Sequence, residues 1–138
     1  MDDDENRPLG YLLHRVIAQL RAEVTREALD PLDLTFTQYL CMRLLSQAPG
    51  RSNADLARDL FVSPQAMNMT VRGLQDRGLV TRPSTVSSGR SLPTELTREG
   101  VALLARTDDG VRQAEQRVLM PLSDRDQRHL RRLLAGLG

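Results

Sequence analysis

The chain has no lysine, no tryptophan, one cysteine and two histidines, and its other aromatics are two tyrosines and two phenylalanines in 138 residues. A lone cysteine, Cys41, excludes an internal disulfide. Cys41, His14 and His129 are too few and too scattered for a metal site. With aromatics at 3%, a core must come from Leu, Val, Ala and Met, which favours packed helices over a β-sandwich. No apolar run approaches the roughly 20 residues of a membrane span. The acidic opening "DDDE" lacks the pattern of a secretory signal. These absences lead us to expect a cytoplasmic protein that makes no membrane contact. No paired nucleophile and base, phosphate loop or metal cluster is visible, so we expect neither an enzyme nor a cofactor.

What is present suits one domain spanning 1–138, with 40% hydrophobic and 27% charged residues. The net charge of +1 is unevenly placed. Between positions 51 and 90, Arg51, Arg58, Arg72, Arg77, Arg82 and Arg90 stand against Asp55, Asp59 and Asp76, a local surplus of three positive charges. Apolar residues at 3.6 spacing (Leu12, Leu13, Val16, Ile17, Leu20, Val24) predict a long first helix that stops at Asp30-Pro31. Thr35 with Gln38, and Ser52 with Asp55, are capping boxes that open a second and a third helix. Ser63 caps a fourth, with Pro64 at its first position and Gly78 past its end. "LVTR" and "TEL" flank the Ser-, Pro- and Gly-rich "PSTVSSGRSLP" and read as a β-hairpin. A helix from Thr97 to about Pro121, with Gly110 as a candidate bend, and a last helix opened by Ser123 complete the order. The first and last two helices carry more Leu and Val than so small a unit can bury, which predicts an interface with a second copy.

"NADLARDL" and "PQAMNMTVRGLQDRG", joined by "FVS", have the outline of a helix-turn-helix. Leu56, Leu60, Val62, Met67 and Thr70 would face inward, and Ala57 would let the helices approach. The outer face of the second helix would then enter the DNA major groove. Gln65 and Asn68 can hydrogen-bond adenine edges or phosphate, and Arg72 can reach phosphate or guanine. Met69 and the ring of Pro64 can touch thymine methyls, and the helix N-terminus capped by Ser63 suits a phosphate. Arg90 beside Gly89 at the hairpin tip can enter a narrow minor groove.

"LARDLFVSPQAMNMTVRGLQDRGLVTR", followed by "GRSLPTELTREG" and preceded by "LDLTFTQYLCMRLLSQAPGRSNADLA", resembles the MarR family of bacterial winged-helix regulators over about residues 9–136. The resemblance implies a mainly α fold with a small β-hairpin wing, a winged helix-turn-helix at 34–97 and a helical dimerisation region at 1–33 and 98–138. It implies a homodimer that reads a pseudo-palindromic operator in double-stranded DNA, with a recognition helix at 64–76 and a wing at 83–93. It also implies a ligand cleft between the dimerisation helices and the DNA-binding lobe, and a repressor released by a small phenolic or aromatic acid. His14, Arg15 and Arg43 are candidates to line that cleft, the arginines by binding a carboxylate. The chain departs from the family pattern in three places. Ser88 stands where an acid often pairs with the wing arginine, Phe61 stands in the turn where a residue tolerant of left-handed backbone is usual, and Met69 replaces a position often polar or basic.

Two competing readings remain. One is an oxidant sensor acting through Cys41, although its apolar neighbours in "QYLCMRLL" favour a buried inert thiol. The other is a winged-helix protein-interaction module that binds no DNA.

Overall fold

In the computed structural model, which describes residues 2–82 and 93–138, the acidic start is a single helical turn, α1 (Asp2–Glu5). Asp4 there pairs with Arg7 at 3.2 Å and Arg15 at 3.5 Å. The first long helix, α2 (Leu9–Val24), runs on through a π-helical turn at Thr25–Leu29 and a 3-10 turn at Asp30–Leu32. The helical path therefore passes Asp30-Pro31 instead of stopping there. Pro31 lies in the first turn of the 3-10 segment, where a missing N–H leaves no bond unmade. Asp33, left-handed at φ 54°, ends it: its N–H donates to the Asp30 carbonyl (3.1 Å) and the Leu34 N–H to that of Leu29 (3.0 Å).

Both capping boxes form. Thr35 accepts from the Gln38 N–H at 3.0 Å while Gln38 accepts from the Thr35 N–H at 3.0 Å, opening α3 (Phe36–Gln47). Ser52 and Asp55 make the same exchange at the start of α4 (Asn53–Asp59). Ser63 accepts from the Ala66 N–H at 3.0 Å to open α5 (Pro64–Asp76). Gly78 at φ 72° closes α5, donating to Gln75 at 2.9 Å while the Leu79 N–H reaches Leu74 at 2.9 Å.

The hairpin strands are β1 (Val80–Thr81) and β2 (Glu95–Leu96), antiparallel with Val80 opposite Leu96 and Thr81 opposite Glu95. A bridge of Arg51 to Thr94 extends this pairing to the segment before α4. Thr97 caps α6 (Arg98–Leu119), and its hydroxyl donates to the Gly78 carbonyl at 2.6 Å, tying the start of α6 to the end of α5. Gly110 does not interrupt α6. A Cβ there would lie 2.8 Å from the Ala28 Cβ, so the glycine permits close contact with the π-helical turn. Ser123 caps the final helix, α7 (Asp124–Leu137).

The core gathers Leu29, Met42, Leu45, Leu56, Met67, Val71, Leu74 and Leu104, so α3 to α6 and the π-helical turn share one interior. Outside it, Leu13, Val16, Ile17 and Leu20 of α2, Val118 and Leu119 of α6, and Leu130 and Leu134 of α7 line an apolar groove of about 200 Å³. Leu9, Leu133, Leu137 and Met120 are exposed as well. No helix among the described residues is long and apolar enough to cross a membrane.

Candidate nucleic-acid interface

The sides of α5 follow from its sequence. Met67, Val71 and Leu74 are buried, while Gln65, Asn68, Met69 and Arg72 are exposed, Met69 to 76%. Thr70 is half-buried at the margin and its hydroxyl donates to the Ala66 carbonyl at 3.0 Å. Leu56 and Ala57 of α4 are buried, and Leu60 and Val62 pack against the core at the turn between the helices. The buried halves of α4 and α5 therefore interlock as a helix-turn-helix and leave one polar face outward.

The turn resolves the question raised by Phe61. Its backbone is left-handed at φ 56°, with the Phe61 N–H donating to Arg58 at 3.3 Å and the Val62 N–H to Ala57 at 3.0 Å. The turn keeps its standard form around a residue that strains it, and the phenyl ring is 95% exposed.

Partners redistribute the arginine surplus counted in the sequence. Arg51 pairs with Asp59, and Arg58 with Asp55 at 2.6 Å. Hydrogen bonds from Ser52 hold the Asp55 carboxyl below its ordinary pKa. Arg77 donates to the carbonyls of Asp33 (2.6 Å) and Leu32 (2.9 Å), satisfying the end of the 3-10 turn. Arg82 turns inward: Nε donates to Thr94 Oγ1 at 3.2 Å and Nη2 donates to Asn53 Oδ1. Burial lowers the Arg82 pKa, from an ordinary value so high that the guanidinium stays charged. Of the five arginines described in this stretch, Arg72 alone is exposed on α5 and forms no ion pair among the described residues. Arg90, with the rest of the wing tip, lies outside the described residues.

The sequence reading missed a connection behind this face. Asn53, at the first position of α4, donates through Nδ2 to Asn68 Oδ1 and accepts from Arg82. Arg82, Asn53 and Asn68 thus join the hairpin stem to the outer face of α5. Asn53 gave no signal in sequence, because a polar residue after an N-cap is ordinary. Arg82 entered only as a unit of charge.

The structure separates the three candidate ligand residues. Arg43 lines a cleft of about 440 Å³ with Tyr39, Asp108, Val111, Arg112, Glu115 and Arg131, between α3, α6 and α7. His14 and Arg15 are exposed on α2 and line no part of it. Arg15 instead meets Asp4 and stacks over the Tyr11 ring at 6.0 Å. In the cleft, the Tyr39 hydroxyl donates to Asp108 Oδ1 at 2.8 Å and Arg43 pairs with Asp108 Oδ2 at 3.3 Å. Burial, then the Asp108 hydrogen bond and charge, raises the Tyr39 pKa, so the phenol stays protonated. Cys41 is fully buried and burial pushes its thiol up to about 12, so at neutral pH it is not the thiolate that oxidants attack. No group of three or more possible metal ligands occurs among the described residues.

Comparison with known proteins matches this arrangement. A family model described as MarR family matches residues 32–91. The chain is 53% identical over 134 residues to the HTH-type transcriptional repressor Rv2887 of Mycobacterium tuberculosis, covering 97% of this chain and 96% of that protein. The crystal structure of Rv2887 in complex with DNA aligns with a TM-score of 0.85 at 49% identity, covering 96% of this chain and 99% of the other. Rv2887 in complex with salicylic acid aligns with a TM-score of 0.81 at 52% identity, over 98% and 99% of the two chains.

Proposed function

The chain belongs to the MarR family of winged-helix transcription regulators, and from that premise we propose that it is a dimeric, sequence-specific DNA-binding repressor released by a small aromatic acid. The observation that carries this reading is the outer face of α5. Gln65, Asn68, Met69 and Arg72 stand exposed on a helix held from behind by a buried stripe, in a chain half identical to a repressor solved with DNA. Ser63 and Pro64 set the α5 N-terminus against a phosphate, the α5 side chains read base edges, and Arg90 contributes from the wing. The protein works in the cytoplasm and catalyses nothing.

The division of labour follows the apolar surface. Residues 34–97 form the DNA-reading lobe, and the segments 1–33 and 98–138 join two copies through the leucine-lined groove. The cleft at Arg43 suits the inducer. An aromatic carboxylate entering it would compete with Asp108 for the Arg43 guanidinium, and Arg112 and Arg131 lie in the same lining. That cleft spans α3 of the reading lobe and α6 and α7 of the dimerising region. A ligand bound there favours whichever relative placement of the two accommodates it, and half-site spacing near 34 Å tolerates little displacement.

The test is fluorescence anisotropy of the protein on DNA from upstream of its own gene, against random DNA, at two salt concentrations, with and without salicylate. We expect specific, steeply salt-dependent binding that salicylate weakens. Binding to no DNA at either salt would return the protein to the class of interaction modules. Specific binding that salicylate leaves unchanged would remove the inducer from the proposal.

A further inference from the structure

The hydrogen-bond chain behind α5 has a direction, and its chemistry dictates it. A guanidinium has donors and no acceptor, so the group that Arg82 Nη2 meets on Asn53 must be the carbonyl oxygen, Oδ1. The Asn53 amide is thereby oriented, and its Nδ2 is the atom that faces α5. A donor there requires an acceptor on Asn68, so Asn68 turns Oδ1 toward α4. The oxygen and nitrogen of a carboxamide diverge from Cγ. With Oδ1 engaged by Asn53 of α4, Nδ2 and its hydrogens are left for another partner at the exposed side of α5. Thr94, fully buried in the pairing with Arg51, receives Arg82 Nε and holds the far end of the chain.

We propose that Asn53 and Arg82 are positioning residues that fix Asn68 as a hydrogen-bond donor toward DNA, so that Asn68 selects a keto base, guanine or thymine, over cytosine. This rests on the reading of α5 as the recognition helix. It also narrows what the sequence suggested for Asn68. The bidentate contact to adenine needs the amide oxygen and nitrogen turned outward together, and here the oxygen is engaged by Asn53. Guanine O6 and N7 and thymine O4 accept from Nδ2, and adenine can still accept at N7, whereas cytosine offers only an amino group and meets it donor to donor.

The experiment selects duplexes from a randomised DNA pool with the intact protein and measures affinities on the selected duplex and its single-base variants. Asn68→Ala identifies the position read by this residue as the one whose preference flattens. Asn53→Asp keeps an acceptor for Arg82 but cannot donate to Asn68, so the Asn68 amide turns over and presents Oδ1. The preference at that position should invert from G or T over C to C over G or T, by about tenfold in the affinity ratio. Asn68→Asp leaves the Arg82–Asn53 contact untouched and puts an acceptor outward, so it should invert the same position. Thermal melting of each variant checks that the fold is kept.

An unchanged preference in Asn53→Asp, or an equal loss on every sequence, would overturn the relay. A failure to invert in Asn68→Asp would overturn the assignment of Asn68 as a donor. Selection of no motif by the unaltered protein is a different failure, since it would remove the recognition helix itself.

Discussion

Two helices of nearly equal length, α5 (13 residues) and α7 (14 residues), open alike, with a serine accepting from an N–H three residues on, and both carry an apolar stripe. Their surroundings differ completely. Met67, Val71 and Leu74 of α5 are fully buried, with α3, α4 and β1 packed against the helix, whereas no residue of α7 is buried and Leu137 is 80% exposed. Periodicity reveals which face of a helix seeks cover, but not which chain supplies it. The contrast divides the molecule into a lobe that closes on itself and a set of terminal helices whose apolar surface is continuous from α2 through α6 to α7.

Breaking the uncovered half should give the largest effect. Leu134, 46% exposed, lines the groove, and Leu134→Asp would place a carboxylate in an apolar contact. A two-fold interface counts each substitution twice, so several kcal/mol per site is enough to dissociate the dimer. Analytical ultracentrifugation should find a monomer at micromolar concentration, and specific DNA affinity should fall with it. A dimer that persists would mean that the groove is not the interface.

The covered half should respond differently. Leu74→Ala leaves a cavity inside one chain and should cost about 2–5 kcal/mol of stability. The oligomeric state of the molecules that remain folded should be unchanged, as denaturant titration combined with sedimentation would show. The two caps sharpen the comparison with a smaller change. Ser63→Ala and Ser123→Ala each remove one side-chain acceptor and should cost about 1 kcal/mol. Salt-dependent DNA binding should weaken for Ser63→Ala alone, because only that cap lies at the proposed recognition face.

The parts of the fold legible in sequence were those settled within a few residues. The capping boxes at Thr35 and Ser52, the Ser63 cap, the Gly78 stop and the strands on either side of the hairpin all appear where the sequence puts them. Two local expectations needed the structure. The first helix passes Asp30-Pro31 because proline fits a fresh 3-10 turn, and Gly110 lies within an unbroken α6 where it admits close contact with Ala28. The outer face of α5 was equally legible, since it follows from which residues are buried.

What the sequence by itself determined, then, is where helices start and stop and which stripes are apolar, because caps and 3.6-residue periodicity act over one or two turns. The tertiary structure alone decided what the arginines do and which way Asn68 points. Arg77 finds its carbonyl acceptor 44 residues away, and Arg82 meets Asn53 across 29. A net charge count treats those side chains as equal. Folding commits Arg77 to the carbonyls of Leu32 and Asp33 and Arg82 to Thr94 and Asn53, and leaves Arg72 without an ion pair among the described residues, because a guanidinium takes whichever acceptors the fold brings beside it.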